Sequence, residues 1–538
     1  MKGTGFGLAV RLLLVAALVM CSVPGMAQAV DQDDLMKKID MLSKELNNLK
    51  QQMQDLQKKD AAKESKIAEV EKKADDAKEA AGPSWLEIGG DYRGRYDFLT
   101  GKTHDAVTLL QALHFMNPAV YPADPLASAK TVKNDSLMTN RLGLNLKAKA
   151  TEDIQVKARL LMYKVWGHDT PDSVTGSNAF FADKSSIFDG NVSHTPSDSI
   201  LRVDQAYATW SNIAGQPLWF SIGRRPSTGG APTNLRQNTV KSGSAGTPGL
   251  LIDYAFDGAT IGVAPDIAAL PGAYAKFCYG KGFDSGFKFN GSSNMSDVNL
   301  MGINVVPYDT DNLHLELQVS KAFQMFAGPE FTSLSIAGFS LPNANLGDIT
   351  QYGGVVMGKI DSLGIGDLNL FLSAAASHTS PSNNFVGGGA FPQYGLMWDT
   401  ATGKQSHTGY GAYAGARYDI KSTGTKLGLE YNYGTKYWIT FTPASDDMFT
   451  SKVGTRGSVY EAYAIQEINK TPISKRGKAF FRLGYQYYDF QYTGSNNWVG
   501  APQKISDLSG IPTATTVPQF FHVLKNAQDV YLTFEVMF

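Results

Sequence analysis

The chain has 538 residues, with 49 basic against 50 acidic side chains and a formal net charge of −1, a balance that argues against nucleic acid as a partner. Its two cysteines, Cys21 and Cys278, exclude a disulfide-stapled scaffold and a Cys-x-x-Cys-His haem attachment. Abundant glycine (54 residues) and 11% aromatic content suit strands that alternate an oily and a wet face.

Residues 1–29 read as a signal peptide. Lys2 and Arg11 flank an apolar run from Leu12 to Met20, and Ala27-Gln28-Ala29 has the small-x-small form of a cleavage site. That run is too short to stay as a membrane helix, and no later stretch approaches about 20 consecutive apolar residues. Met20 is too large to precede a lipidated Cys21, so Cys278 is expected as the one cysteine of the exported chain.

Residues 30–83 predict an α-helical coiled coil. Leu35, Ile39, Leu42, Leu46, Leu49, Met53 and Leu56 are spaced alternately four and three, the a/d seam of a heptad. Asp60 and Lys63 interrupt the seam, and Ile67, Val70, Ala74, Ala77 and Ala81 resume it in phase before Gly82-Pro83 stops the helix. At about 1.5 Å per residue the rod would be about 75 Å long. A leucine seam this long needs partner helices, so a homo-oligomer is expected, with a trimer favoured.

From residue 84 the period changes to 2, which predicts an all-β transmembrane barrel of about 16 antiparallel strands over residues 84–538. The opening strand sets Leu86, Ile88, Tyr92, Tyr96 and Phe98 against Glu87, Asp91, Arg93, Arg95 and Asp97. Residues 141–150 and 154–162 form a hairpin across Thr151-Glu152-Asp153. Further strands are expected near 200–210, 217–225, 249–256, 259–283, 297–306, 313–323, 348–359, 367–378, 406–419, 425–437, 456–468, 478–491 and 527–538. Asp257-Gly258 reads as a turn, and 259–283 as one strand interrupted around Pro265–Gly272. Short and long links alternate, as in outer-membrane barrels with periplasmic turns and extracellular loops. A first strand rising from the periplasm then puts the coiled coil in the periplasm.

The last strand carries Val530, Leu532, Phe534, Val536 and Phe538 on one face and Asp529, Tyr531, Thr533 and Glu535 on the other. Tyr531, Phe534 and Phe538 resemble the C-terminal signal read by the barrel assembly machinery. Trp85, Trp210, Trp219, Phe256, Tyr418 and Phe538 are expected in one aromatic girdle, and Tyr96, Phe98, Trp166, Phe323 and Tyr437 in the other.

No catalytic constellation is apparent, and no metal or cofactor site is expected; the eight histidines lie mostly in loops without ligand spacing. Strand parity instead builds a charged wall. Arg93, Arg95, Arg141, Lys147, Lys157, Arg159, Arg202, Asp204, Arg225 and Asp253 are expected to line a pore, with basic residues dominating the first five strands. Arg202 and Arg225 would extend a basic stripe with Arg141 and Arg159, favouring anions at a constriction. The alternative is that Asp204 and Asp253 neutralise Arg202 and Arg225 and brace the wall.

Gly223-Arg224-Arg225-Pro226-Ser227-Thr228, the following Gly229-Gly230-Ala231-Pro232, the Leu270–Tyr274 and Tyr279–Phe283 segments, and the opening Ile88–Arg93 strand are similar to a family of outer-membrane porins from metal- and sulfur-respiring delta-proteobacteria. The resemblance spans nearly the whole chain and implies location more than substrate. Porins of such organisms can sheath multihaem cytochromes, so the resemblance also implies an electron-conduit alternative. The expected function is a non-enzymatic channel for passive diffusion of small polar solutes or ions, mildly anion-preferring. Its expected partners are outer-membrane lipid, the assembly machinery and further copies of the chain. A structural tether, whose coil engages the cell wall, is the remaining alternative.

Overall fold

The computed structural model describes residues 41, 44 and 85–538 apart from 168–194, 288–294, 328–334, 337–338, 341–342, 390, 469–471, 474–476 and 520–521. The chain divides into two compact units, Met1–Ser84 and Trp85–Phe538. In the first, Met41 and Lys44 are helical, and the signal peptide and the heptad seam residues lie outside the described residues.

The second unit is a closed barrel of 16 antiparallel strands: β1 (Leu86–Thr103), β2 (Thr131–Lys149), β3 (Ile154–Val165), β4 (Arg202–Trp210), β5 (Leu218–Ser227), β6 (Tyr254–Val263), β7 (Tyr274–Phe283), β8 (Val298–Asp309), β9 (Leu313–Phe326), β10 (Asn345–Leu363), β11 (Gly366–Pro381), β12 (Thr408–Ile420), β13 (Thr425–Gly434), β14 (Gly457–Glu467), β15 (Lys478–Phe490) and β16 (Leu524–Met537). Each strand pairs with its sequence neighbour, and β16 closes on β1 with Phe534 opposite Gly94 and Val536 opposite Tyr92. The Phe538 amide and carbonyl both bond to Gly90, and the ring lies where a Gly90 side chain would stand. No helix among the described residues is long and apolar enough to cross a membrane.

The count of strands agrees with the sequence pattern, but their division between residues 249 and 283 does not. Asp257-Gly258 is not a turn. Both residues sit inside β6, opposite Arg224 and Gly223 on one side and Lys281 and Gly280 on the other. A Cβ on Gly258 would stand 2.0 Å from the Tyr279 carbonyl oxygen, so this glycine admits a close strand neighbour and does not reverse the chain. The reversal falls at 264–273, where Pro265 cannot donate to a ladder and Gly272 adopts a φ of +71°.

The outer face is apolar. Tyr92, Phe98, Ile303, Leu317, Val319, Leu372, Leu429, Leu483, Val530 and Leu532 are all exposed. Together they form a band far larger than the few hundred Å² of contiguous apolar surface that a soluble monomer leaves to water. Trp85, Trp210 and Phe538 are exposed toward the short-turn end, and Trp166 toward the long-loop end. Trp219 and Phe256 depart from the expected girdle: register places both on the inner face, with Trp219 opposite Gly262 and Phe256 opposite Arg225. Tyr437 lies in the loop after β13, stacked on His407 at 3.7 Å between ring centroids.

Inside the long-loop half, the loops build a hydrophobic core of their own. Leu250, Leu251, Met397, Trp438, Ile439, Phe441 and Trp498 are buried there against Phe326, Leu346 and Ile349 of the wall.

Candidate functional site

Two long loops leave the rim and run into the lumen. Residues 228–253, between β5 and β6, carry a short helix, α1 (Thr233–Gln237), and reach the short-turn end. There the Asn238 amide donates to Glu467 at 3.0 Å, Lys426 donates to the Asn238 Oδ1 at 2.7 Å, and Lys478 donates to its carbonyl at 3.0 Å. These three partners stand at the short-turn ends of β13, β14 and β15. Lys241 pairs with Asp309 at the end of β8 and donates to the Thr310 carbonyl at 3.1 Å. On the way back, the Ser244 and Gly246 carbonyls accept from Lys276 of β7.

Residues 435–456, between β13 and β14, form the second inner loop. Asp446 receives both terminal nitrogens of Arg93 on β1, with Nη2 to Oδ1 at 2.7 Å. Lys452 donates to Glu461 at 2.6 Å and also to Glu430. Asp447 pairs with Arg236 of the first inner loop at 3.0 Å, and Arg236 also meets Glu461 at 3.2 Å. Tyr531 and Tyr413 complete this network by donating to Glu461 at 2.6 Å and Glu430 at 2.7 Å. Buried charges are tolerable only when paired and hydrogen-bonded, and these loops supply the partners.

Arg95 bridges Asp97 and Asp529 and is 4% exposed. Arg141 reaches Asp91 at 3.4 Å, and Arg159 reaches Asp91 at 2.6 Å, Asn145 at 2.8 Å and Asp204 at 3.7 Å. Lys147 pairs with Glu87 at 3.1 Å and faces Lys157 across the β2–β3 register. Arg141, Lys147, Lys157 and Arg159 are all partly exposed on the inner wall, and of these Arg141 also reaches the second inner loop, with Asp446 at 3.7 Å.

The alternative, bracing of Arg202 and Arg225 by Asp204 and Asp253, is not what the structure builds. Arg202 is held by Asp198, four residues before it in the preceding loop, through two bonds of 2.8 Å. Arg225 donates to Ser221 at 2.8 Å and to Thr260, and lies over the Tyr207 and Trp219 rings. Asp204 faces Arg159 instead, because a bulge at Arg159/Leu160 shifts the β3–β4 register. Asp253 accepts from the Gly229 amide at 2.7 Å and so pins the base of the first inner loop.

Arg236, Lys241, Asp446, Asp447 and Lys452 are the interior residues that strand parity could not find, because all five lie in loops. A signal was present in the loop composition. Leu250-Leu251-Ile252 and Trp438-Ile439-Thr440-Phe441 are too apolar for segments left in water.

Fold and interior define a class: a 16-strand β-barrel of membrane-spanning form with two of its own loops folded into the lumen. The chain belongs to the family described as "Protein of unknown function (DUF3373)", which matches residues 131–538. No curated protein matches. Among solved structures, Vibrio cholerae OmpT, folded in vitro and in its trimer form, is 11% identical, with 84% of this chain and 99% of that chain covered and a TM-score of 0.39. Salmonella typhi OmpF in complex with daunomycin is also 11% identical, covering 84% and 97% with a TM-score of 0.38. Likeness at this level says nothing about what this barrel carries.

Proposed function

We propose that the protein is an outer-membrane channel for small polar solutes whose bore is set by its inner loops and not by the barrel diameter. One observation carries this reading. A closed barrel with an apolar outer band encloses a hydrogen-bonded polar interior, and loop 228–253 spans that interior from one end to the other. An anchor alone would need no such interior. A sheath around a multihaem cytochrome would need the volume that the two inner loops take, so the channel is favoured over both alternatives.

The finer reading is mild anion preference. Arg93, Arg95 and Arg202 have carboxylate partners close by and contribute little net field. The preference would rest on Arg141, Lys147, Lys157 and Arg159, which share Asp91, Glu87 and Asp204, with Asp446 also near Arg141. Outer-membrane lipid around the apolar band, recognition of the last strand by the assembly machinery, and a trimer set by the coiled coil at 30–83 belong to the same proposal.

The test is conductance of the mature protein in planar bilayers. Small unitary currents are expected from the native chain, and currents several-fold larger from a variant in which 230–247 is replaced by a short Gly/Ser link. Silence from both proteins would reject the channel in favour of an anchor, and co-purified haem would favour the sheath.

A further inference from the structure

Between the first inner loop and the wall lies a cavity of about 50 Å³, lined by Arg225, Thr260, Cys278, Asn304, Gln318 and Ser320 among others. These residues come from five consecutive strands, β5 to β9, and register sets Ser221, Thr260, Cys278, Gly302 and Ser320 side by side around the wall. Small side chains in one row leave the space. The lining includes no Asp or Glu.

Arg225 is 8% exposed, and its bonds go to two hydroxyls. Among the described residues no carboxylate lies within ion-pair distance of it, unlike Arg93, Arg95, Arg202, Arg236 or Arg482. Two residues before Cys278 on the same face, Lys276 is 3% exposed and donates to two backbone carbonyls. On the far wall of the cavity, the Ser320 hydroxyl, three strands from Thr260, and the Asn304 Oδ1 have no hydrogen-bond partner. A buried cation without a counter-charge is costly unless something negative joins it.

We infer that this cavity binds a small monovalent anion, of the size of chloride or nitrate, against the Arg225 guanidinium, which the Ser221 and Thr260 hydroxyls orient. Monovalence follows from the single uncompensated guanidinium that faces the cavity. Size follows from the volume: a water needs about 10–15 Å³ of such space, so a few waters' worth admits nitrate and refuses a sugar phosphate. The inference rests on the channel reading and names a class of solute for it, a class that the neutralised part of the wall would not select.

Cys278 makes the site addressable, because it lies in the cavity wall and Cys21 falls within the predicted signal peptide. Purified full mature chain in detergent micelles is labelled with methyl methanethiosulfonate, a reagent small enough to enter, in sodium nitrate or in sodium gluconate of equal ionic strength. Nitrate should slow labelling several-fold, and gluconate, too large for the cavity, should not. Arg225→Gln should abolish the protection while keeping heat-modifiable migration. Should that variant fail to fold, Arg225→Lys, which keeps the charge and loses the fork, should show weakened protection. Equal rates in nitrate and gluconate for the native chain would overturn the site, as would full protection in either folded variant. Failure of Cys278 to react even with this small reagent would overturn it too, since the cavity would then be closed to solutes. Conductance is not read in this experiment, so a barrel that protects Cys278 but passes no current would reject the channel and leave the anion site standing.

Discussion

Asp446 and Arg93 are 353 residues apart in the chain and form a bidentate ion pair inside the barrel, with the Arg93 Nη2 also donating to Tyr163 at 2.9 Å. The pair ties the loop after β13 to the first strand. Removing one partner of a buried pair costs about 3–5 kcal/mol, because the other charge is left uncompensated. Asp446→Asn should therefore release residues 438–453 locally, read as faster amide hydrogen exchange there with the strand amides unchanged. Replacing both partners by apolar residues, Arg93→Met with Asp446→Leu, should restore much of the protection. Native exchange in the single variant would mean that the pair does not hold the loop.

Trp438 is fully buried, donates to the Val453 carbonyl at 2.7 Å, and covers Gly411, whose Cβ would stand 2.4 Å from the ring. Trp438→Ala should cost about 3–5 kcal/mol in docking of the same loop. Gly411→Val should evict the ring from the other side. Both should raise single-channel conductance, and a native current in both would separate loop docking from conduction.

At the short-turn end, Asn238→Ala removes the side-chain bonds to Glu467 and Lys426, worth about 1–3 kcal/mol where a buried partner is left unmet. Lys426 and Glu467 still pair with each other at 2.9 Å, so the wall should hold while the loop tip loosens. More frequent current fluctuation is expected, and a quiet trace would show that the tip is no gate.

Above the rim, Asp124 joins two loops by accepting from Thr108 at 2.6 Å and the Leu126 amide at 2.9 Å, with His522 at 3.1 Å. Burial alone would raise its pKa, but the Thr108 and Leu126 hydrogen bonds and the nearby His522 together hold it below the ordinary carboxylate value. A lowered native pKa means that this clasp contributes fully above about 3.8, the ordinary value, and is lost as pH falls through the native one. Acidification through that window should loosen residues 104–130, read as amide exchange corrected for its intrinsic pH dependence. Asp124→Asn should abolish that pH response, and an unchanged response would place the titrating group elsewhere.

The Phe538 ring and backbone both engage Gly90, which makes the end of β16 part of the closing seam. Phe538→Asp should leave an exported chain without heat-modifiable barrel. Normal barrel yield would show that closure does not depend on this residue.

Strand parity made most of the wall legible, because a period of 2 survives wherever one face meets an apolar medium and the other does not. Arg93, Arg95, Arg141 and Arg159 could be oriented that way. It failed where backbone geometry, not side-chain polarity, decided the matter: Asp257-Gly258 looks like a hairpin turn and is a close strand contact, and a bulge beside Arg159 redirects Asp204. The partners of Arg93 and Arg202, Asp446 and Asp198, lie in loops that have no period to read. The interior network is a tertiary property of two such loops.

The first inner loop also imposes an order of events on assembly. Its Leu235 carbonyl accepts from Arg417, 182 residues later, and its Arg236 carbonyl accepts from Arg482, 246 residues later. Closing loops of that length is entropically costly and is repaid only once both ends exist in place. The strands β12 and β15 must therefore be laid down before residues 235 and 236 can find their seats, and β16 seals the cylinder behind them. Interior and wall mature together, late, and a chain arrested before β15 would present the loop's cations and leucines to whatever surrounds it.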